Sequence, residues 1–438
     1  MESNNPTPAV LTRSDHHISR GDISEPALKV LYRLKDAGFQ AYLVGGGVRD
    51  LLLGREPKDF DVVTDARPEQ VRGLFRNCRL IGRRFRLAHV RFGREIIEVA
   101  TFRALPNSDS GSAGPTLGED GRIIRDNAFG TIEQDALRRD FTINSLYYNI
   151  NDFSVVDYVD AMDDLHRGVL RIIGDPLTRF REDPVRMLRA VRFAAKLGFR
   201  IDADTQTPMF QLVDLVKSVP AARLYDEVSK LFHGGSAVET FALLRHYGLF
   251  GRLFPATEAA LAQEEHGFPI TFVLHALRNT DDRINSGKHV TPAFLYAVLL
   301  WEPVRHRMKY YLRGDKGEVE ALQNAGRDVI TDQLRHTSIP KRFNVTMREI
   351  WFLQSRFRFK SGKRPLRFLS HPRFRAAYDF LCLRAEAGED LHDDCRWWTE
   401  YQASTAKSGT VMTKTTGGSR VRRYRRRSTG VGANIGDR

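Results

Sequence analysis

The chain has 438 residues, 42% of them hydrophobic, and 68 Lys and Arg against 54 Asp and Glu give it a net charge of +14. That length and apolar content support two or three domains with a sizeable core and exclude a wholly disordered chain. The basic excess favours a polyanionic partner, and nucleic acid over an anionic membrane surface, because no apolar run approaches the length needed to span a bilayer. The polar start MESNNPTPAV carries no secretory apolar region. Cys78, Cys382 and Cys395 are too few and too scattered for a zinc site or a disulfide framework, so a reducing cytoplasm is the expected compartment.

In chain order, residues 1–24 are polar, rich in turn formers, and read as a flexible N-terminal arm. Ala27, Val30, Leu31 and Leu34 then recur at helical spacing, AYLVGG follows as a strand, and VRDLLLG and EQVRGLFRN read as short helices. RLAHVRF and EIIEVATF are strands, and Ala104 to Asp126 is a loop of Pro, Gly and Ser, either a mobile substrate-side element or an insertion without a role. These elements make an α/β head over 25–164. Beyond Asp164 three-and-four spacing dominates, which predicts a helical neck over 165–235 and a helical body over 236–400. The clearest helix opens at Asp183-Pro184, where Asp can cap and Pro fits the first turn, with Val185, Leu188, Val191 and Ala195 as its buried stripe. Residues 401–438 should be disordered, because their composition cannot bury enough apolar surface to offset ordering entropy. From Lys407 onward nine basic residues face one acid, so the tail carries +8 of the total charge.

The segment that constrains the chemistry most is LVGGGVRDLLLGREPKDFDVV. Asp59 and Asp61 are two residues apart, and on a strand side chains with that spacing share a face. Paired carboxylates of this kind can hold hard divalent ions for a phosphoryl-type transfer, and the glycines upstream would let backbone approach a triphosphate. A lone Asp-x-Asp is usually solvated surface. The glycine run lacks the spacing of a dinucleotide fingerprint, and no Gly-Lys-Ser/Thr follows it. The glycine turn, Arg49 and the Asp pair in one short run together support a nucleotidyltransferase.

These residues resemble the head motif of the class II nucleotidyltransferases, which comprise the tRNA CCA-adding enzymes and the bacterial poly(A) polymerases. The resemblance runs through IIEVATFR, RRDFTINSLYYNI and REDPVRMLRAVRFAAKLGF, over residues 40 to 200, and LIGRRFRLAHVRFG is similar to the stretch that sets the poly(A) polymerases apart. It implies a polymerase β-like head with a short mixed sheet, followed by an all-α neck and body. It also implies ATP as substrate and two Mg²⁺ ions held by Asp59 and Asp61. Asp140 matches the family's third active-site aspartate and is favoured, with Asp59 and Asp61, as catalytic; Glu98, on a neighbouring predicted strand, is the second candidate, able to reach the metals on geometric grounds. Gly46, Gly47 and Arg49 would bind the triphosphate, Arg139 and Asn144 the ribose side, and Asp183, Arg186 and Arg189 the base. Arg186, Arg189 and Arg192 could instead be the solvated face of an amphipathic helix.

RNA contact is expected from residues 341–375, where Arg and Lys alternate with Phe and Trp, and from a tail of Arg420, Arg422, Arg423, Arg425, Arg426 and Arg427. Most Phe residues of the first region also read as ordinary helical core. His16 and His17 fall in the arm, and His89, in an apolar strand, reads as a satisfied core residue. The expected activity is template-independent addition of AMP to single-stranded RNA 3′ ends in mRNA processing and decay, by a cytoplasmic monomer with RNA-decay proteins as partners. A tRNA CCA-adding enzyme and a non-catalytic RNA-binding protein on the same scaffold are the competing readings.

Overall fold

The computed structural model describes residues 7–82, 86–104, 116–117, 123–125, 128–265, 268–269, 271–314 and 317–407. The head is built on strands β1 (Ala9–Leu11), β2 (Ala41–Val44), β3 (Asp61–Thr64), β4 (Cys78–Ile81), β5 (Leu87–Phe92) and β6 (Glu95–Thr101), with β9 (Leu146–Asn149) and β10 (Val155–Asp157). These eight form one sheet in the order β1-β10-β9-β2-β3-β6-β5-β4. Only β3 and β6 run parallel, so the sheet is mixed, as expected. Two short segments, β7 (Thr116–Leu117) and β8 (Ile123–Arg125), pair with each other apart from it.

Alternation along the strands sends the two faces to different partners. Leu43, Val62, Val90 and Val99 pack with Val30, Leu31 and Leu34 of helix α1 (Glu25–Asp36) in the main core. Ser24 caps α1 by accepting from the Ala27 amide, and its three large inward residues each contribute about 1.5–3 kcal/mol of burial. On the opposite face Val44, Val63, Phe102 and Tyr147 pack with Ile132 and Ala136 of helix α4 (Ile132–Arg138). Helices α2 (Gly46–Leu52) and α3 (Pro68–Leu74), each close to its predicted position, add Val48, Leu51 and Val71 to the main core.

The arm is not flexible from Ala9 onward. Residues 9–11 pair antiparallel with β10 at the sheet edge, Ile18 is fully buried, and His16 and His17 hydrogen-bond the carbonyls of Phe153 and Leu51, each at 2.9 Å. An edge strand with open backbone groups recruits this segment, whose own sequence carries no strand pattern.

The neck holds α5 (Ala161–His166), α6 (Pro176–Glu182), α7 (Val185–Leu197), α8 (Ala203–Leu212) and α9 (Ala221–Phe232). The Val185 amide donates to the Asp183 carboxylate at 3.3 Å, and α7 ends at Gly198 with φ +74°. The predicted stripe is buried, but Met187, Ala190, Phe193 and Ala194 are buried too, because α7 is packed on several sides. In the helical body Trp351 and Trp398 are fully buried and donate to the carbonyls of Ala297 and Phe357. Of the aromatic side chains in 341–375, Trp351, Phe357, Phe368 and Phe374 are core residues, while Phe359 is 39% exposed.

The reading of the cysteines is corrected: Cys382 and Cys395 are disulfide-bonded. They lie on successive helices, Phe374–Glu386 and His392–Lys407, which a short turn folds together until the Cα atoms are 5.3 Å apart, and the second helix runs through residues 401–407, expected to be disordered. Most of the Ala104–Asp126 loop, residues 83–85 of the LIGRRFRLAHV stretch, and all six tail arginines from Arg420 to Arg427 lie outside the described residues.

Candidate active site

The sheet register decides which acids meet. Asp61 is paired across the sheet with Glu98, and Glu98 with His89, so these three side chains stand in a row on one face of β3, β6 and β5. Asp59 precedes β3, with buried Phe60 between the two aspartates; it therefore joins the site from a loop rather than by strand alternation. Asp59, Asp61, Glu98, His89, Lys58 and Arg94 all line one cleft of about 890 Å³. Burial raises Asp61 to about 6, Glu98 and then Asp59 add to the shift, and Arg139 opposes it. His89 is thus no core residue: its Nε2 lies 3.1 Å from Glu98 Oε1. Among the described residues no group of three or more His, Cys, Asp or Glu side chains is already gathered to hold a metal ion. Asp59, Asp61 and Glu98, three of the acids lining the cleft, nonetheless offer only hard oxygen donors, and the repulsion of Asp61 by the other two is what a divalent cation relieves.

The glycine turn sits beside this row. Gly45 has φ +76°, and a Cβ there would lie 3.7 Å from the Arg139 guanidinium and 3.8 Å from Asp61 Oδ2. A Cβ on Gly47 would meet the Asp59 carbonyl oxygen at 3.3 Å, so the absence of a side chain lets α2 start directly against the aspartate loop. Arg139 is held by Asp135 and Tyr147, at 3.0 and 2.9 Å. These two acceptors keep it charged despite burial.

Asp140 belongs to a different cluster. It neither lines the acid cleft nor acts on Asp61; its Oδ2 accepts from Arg189 Nε at 2.7 Å, and its Oδ1 accepts from Asn144 Nδ2 at 3.3 Å. Burial alone would raise Asp140, but Arg189, Asn144 and the Phe141 amide hold it at about 2. Asn144 in turn accepts from buried Arg49 at 2.6 Å, and Arg49 also donates to Asp50 at 2.6 Å. Asp140 and Asn144 face each other across a 3-10 turn, Thr142–Asn144.

The residues expected to read the base form a third group. Arg186 donates to Glu182 at 2.8 Å, and Asp183 accepts a two-pronged contact from Arg223 of α9 at 2.7 and 2.8 Å. The guanidiniums of Arg49, Arg189 and Arg192 lie over the Phe193 ring, 5.4, 5.2 and 4.6 Å from its centroid. None of Arg186, Arg189 or Arg192 is therefore a merely solvated face. His89, Arg223 and Phe193 were missed in the sequence; only His89 had a local signal, the alternation of RLAHV.

Family models cover most of the chain. The poly A polymerase head domain matches residues 41–171, the probable RNA and SrmB-binding site of polymerase A matches 198–261, and the polymerase A arginine-rich C-terminus matches 314–429. Poly(A) polymerase I of Salmonella typhi is 51% identical over 403 residues, spanning 91% of this chain and 87% of its own. The chain belongs to the poly(A) polymerase family. Similarity to a CC-adding tRNA nucleotidyltransferase of Halalkalibacterium halodurans is 36% over 229 residues, so the sequence match extends over only 52% of this chain and 54% of the other. A solved tRNA nucleotidyltransferase, complexed with a primer tRNA and an incoming ATP analog, has the same fold, with a TM-score of 0.55, 23% identity and coverage of 86% of this chain and 99% of its own. Among the described residues no helix is long and apolar enough to cross a membrane.

Proposed function

We propose that the protein extends RNA 3′ ends by transferring AMP from ATP without a template and releasing pyrophosphate. The observation that carries this reading is 51% identity to a poly(A) polymerase I over 91% of the chain, joined to an acid-lined cleft beside a glycine turn. The CCA-adding alternative shares only about half of the chain, and the non-catalytic alternative has no missing carboxylate to support it.

Asp59 and Asp61 would hold two Mg²⁺ ions, with Glu98 the better third ligand, because it faces Asp61 across the sheet while Asp140 is committed to Arg189. Bound there, the ions supply charge neutralisation and a lowered pKa for the attacking 3′-hydroxyl. The rest is positioning by the chain itself. Gly46, half-buried, would leave backbone open for a triphosphate while Gly47 is taken up by packing on the Asp59 loop, and Arg49, fixed by Asp50 and Asn144, faces that turn. Arg139 places a half-buried cation beside Asp61, where charge would develop on the phosphoryl oxygens. Arg186 and Arg189 on α7, with Asp183 just before it, would present a donor and acceptor pattern to the base, on a helix that packing holds still. We place the activity in the cytoplasm, in a monomer with RNA-decay proteins as partners.

Purified protein offered an unstructured RNA with either ATP or CTP tests the reading. Long adenylate tracts from ATP, with little incorporation of CTP, are expected; CTP incorporation that stops after two or three additions would establish the CCA-adding alternative instead.

A further inference from the structure

The body carries a surface that the head's chemistry does not use. From Ile350 to Tyr378 the sequence has no acid and eight cations: Arg356, Arg358, Lys360, Lys363, Arg364, Arg367, Arg373 and Arg375. Folding sorts this stretch. Phe357, Phe368 and Phe374 go into a small core around Trp398. What is left outside is a knuckle between helices Lys341–Leu353 and Arg364–Leu369, with Phe359 39% and Leu366 46% exposed. Arg358 and Arg364 lie over the Phe359 ring, 5.2 and 5.1 Å from its centroid. Arg358 is paired with Glu318 at 3.0 Å and Lys360 with Asp394 at 2.6 Å. Arg356, Lys363, Arg364 and Arg367 are exposed, and none has an ion-pair partner among the described residues.

Partial exposure of a ring is not unusual by itself, and Phe210 is 47% exposed; what sets Phe359 apart is the pair of guanidiniums over it and the cations around it. Here it is held at the surface by two guanidiniums amid unneutralised cations. That combination matches an unpaired nucleic-acid strand: cations meet phosphates, and a ring or guanidinium plane stacks a base. A duplex hides its base faces and offers nothing to stack. We infer that the Phe359 knuckle is a stacking platform for single-stranded RNA, engaging the strand upstream of the 3′ end held in the head. The inference rests on the reading of the protein as an RNA-extending enzyme and assigns one contact point within residues 341–375.

Full-length protein and a fluorescent oligoadenylate give the test, by anisotropy across a salt series. Phe359→Ala should weaken binding roughly ten-fold with an unchanged salt slope, because stacking releases no counterions. Phe359→Trp should retain wild-type affinity, which excludes a folding defect as the cause. Lys363→Gln with Arg364→Gln should lower the slope by roughly 0.7 per cation removed. Wild-type affinity in Phe359→Ala, an equal loss on duplex RNA, or binding of the knuckle to phosphatidylglycerol vesicles in preference to RNA would each overturn it. AMP incorporation by the wild-type protein reports on the head separately, so the two readings fail independently.

Discussion

The two candidates for the third carboxylate predict opposite effects on stability when neutralised. In the metal-free protein Asp61 titrates near 6 against an ordinary 3.8. The native state then binds more protons than the unfolded state between those values, so stability falls as pH rises from about 4 to 6, by about 3 kcal/mol for a shift of this size. Glu98 is the second contributor after burial and is half-exposed, so Glu98→Gln should return on the order of 1 kcal/mol above pH 6. Asp140 behaves in the reverse sense: held at about 2 by Arg189, it adds about 2.5 kcal/mol above pH 4 that is lost as pH falls toward 2. Asp140→Asn should cost that amount at pH 7.5. Urea unfolding in EDTA at pH 7.5 measures both changes, and Mn²⁺ binding by electron paramagnetic resonance assigns the ligand. Glu98→Gln should unfold at higher urea yet lose Mn²⁺ affinity and at least 100-fold in turnover. A destabilised Glu98→Gln, or an Asp140→Asn protein that loses Mn²⁺ without losing stability, would refute the reasoning.

Other substitutions probe the site from different sides. Asp61→Asn should abolish AMP incorporation while oligoadenylate affinity stays within about two-fold, because the knuckle and the body remain intact; retained activity in a gel extension assay would remove Asp61 from the chemistry. Gly45→Ala should cost about 1–2 kcal/mol, since φ is +76° there, and should raise KM for ATP by displacing the turn beside Arg139. With the Cys382–Cys395 bond formed, a thiol count under denaturing, non-reducing conditions should find one sulfhydryl, Cys78, and three after reduction. Reduction should lower the stability of the body by about 3 kcal/mol for a bridge spanning 13 residues. Three thiols without reductant would show that the bond is not present.

The parts of the head that could be read locally are those whose periodicity is complete within one element. Helix α1 shows its stripe at Ala27, Val30, Leu31 and Leu34, and β5 and β6 alternate over six or seven residues. Segments that depend on a neighbour could not be read. The strand at Ala9–Leu11 exists because β10 has an open edge. Asp61 meets Glu98 only because β3 and β6 pair in parallel at that register, and one residue of slip would turn Glu98 to the other face. The Asp140–Arg189 pair joins residues 49 apart, and the Asp183–Arg223 pair residues 40 apart, separations at which spacing carries no information. Family resemblance supplied roles for Asp140 and Arg189, but not the fact that they neutralise each other.

That mutual neutralisation bears on how the nucleotide site works. Each candidate nucleotide reader already has a protein partner: Arg49 has Asp50 and Asn144, Arg186 has Glu182, Asp183 has Arg223, and Arg189 has Asp140. Side chains fixed in this way lose their rotamer entropy during folding rather than on binding, which leaves more of the contact energy available to hold ATP in a reactive position. The chain of contacts Arg189–Asp140–Asn144–Arg49 also runs from α7 in the neck to α2 in the head. It therefore ties the orientation of α7 to that of α2 and its glycine turn. Breaking it at Asp140 should disturb both ends at once, so a rise in KM for ATP and a loss of discrimination against CTP should appear together in Asp140→Asn, whereas Asp61→Asn should leave nucleotide selection by the neck untouched.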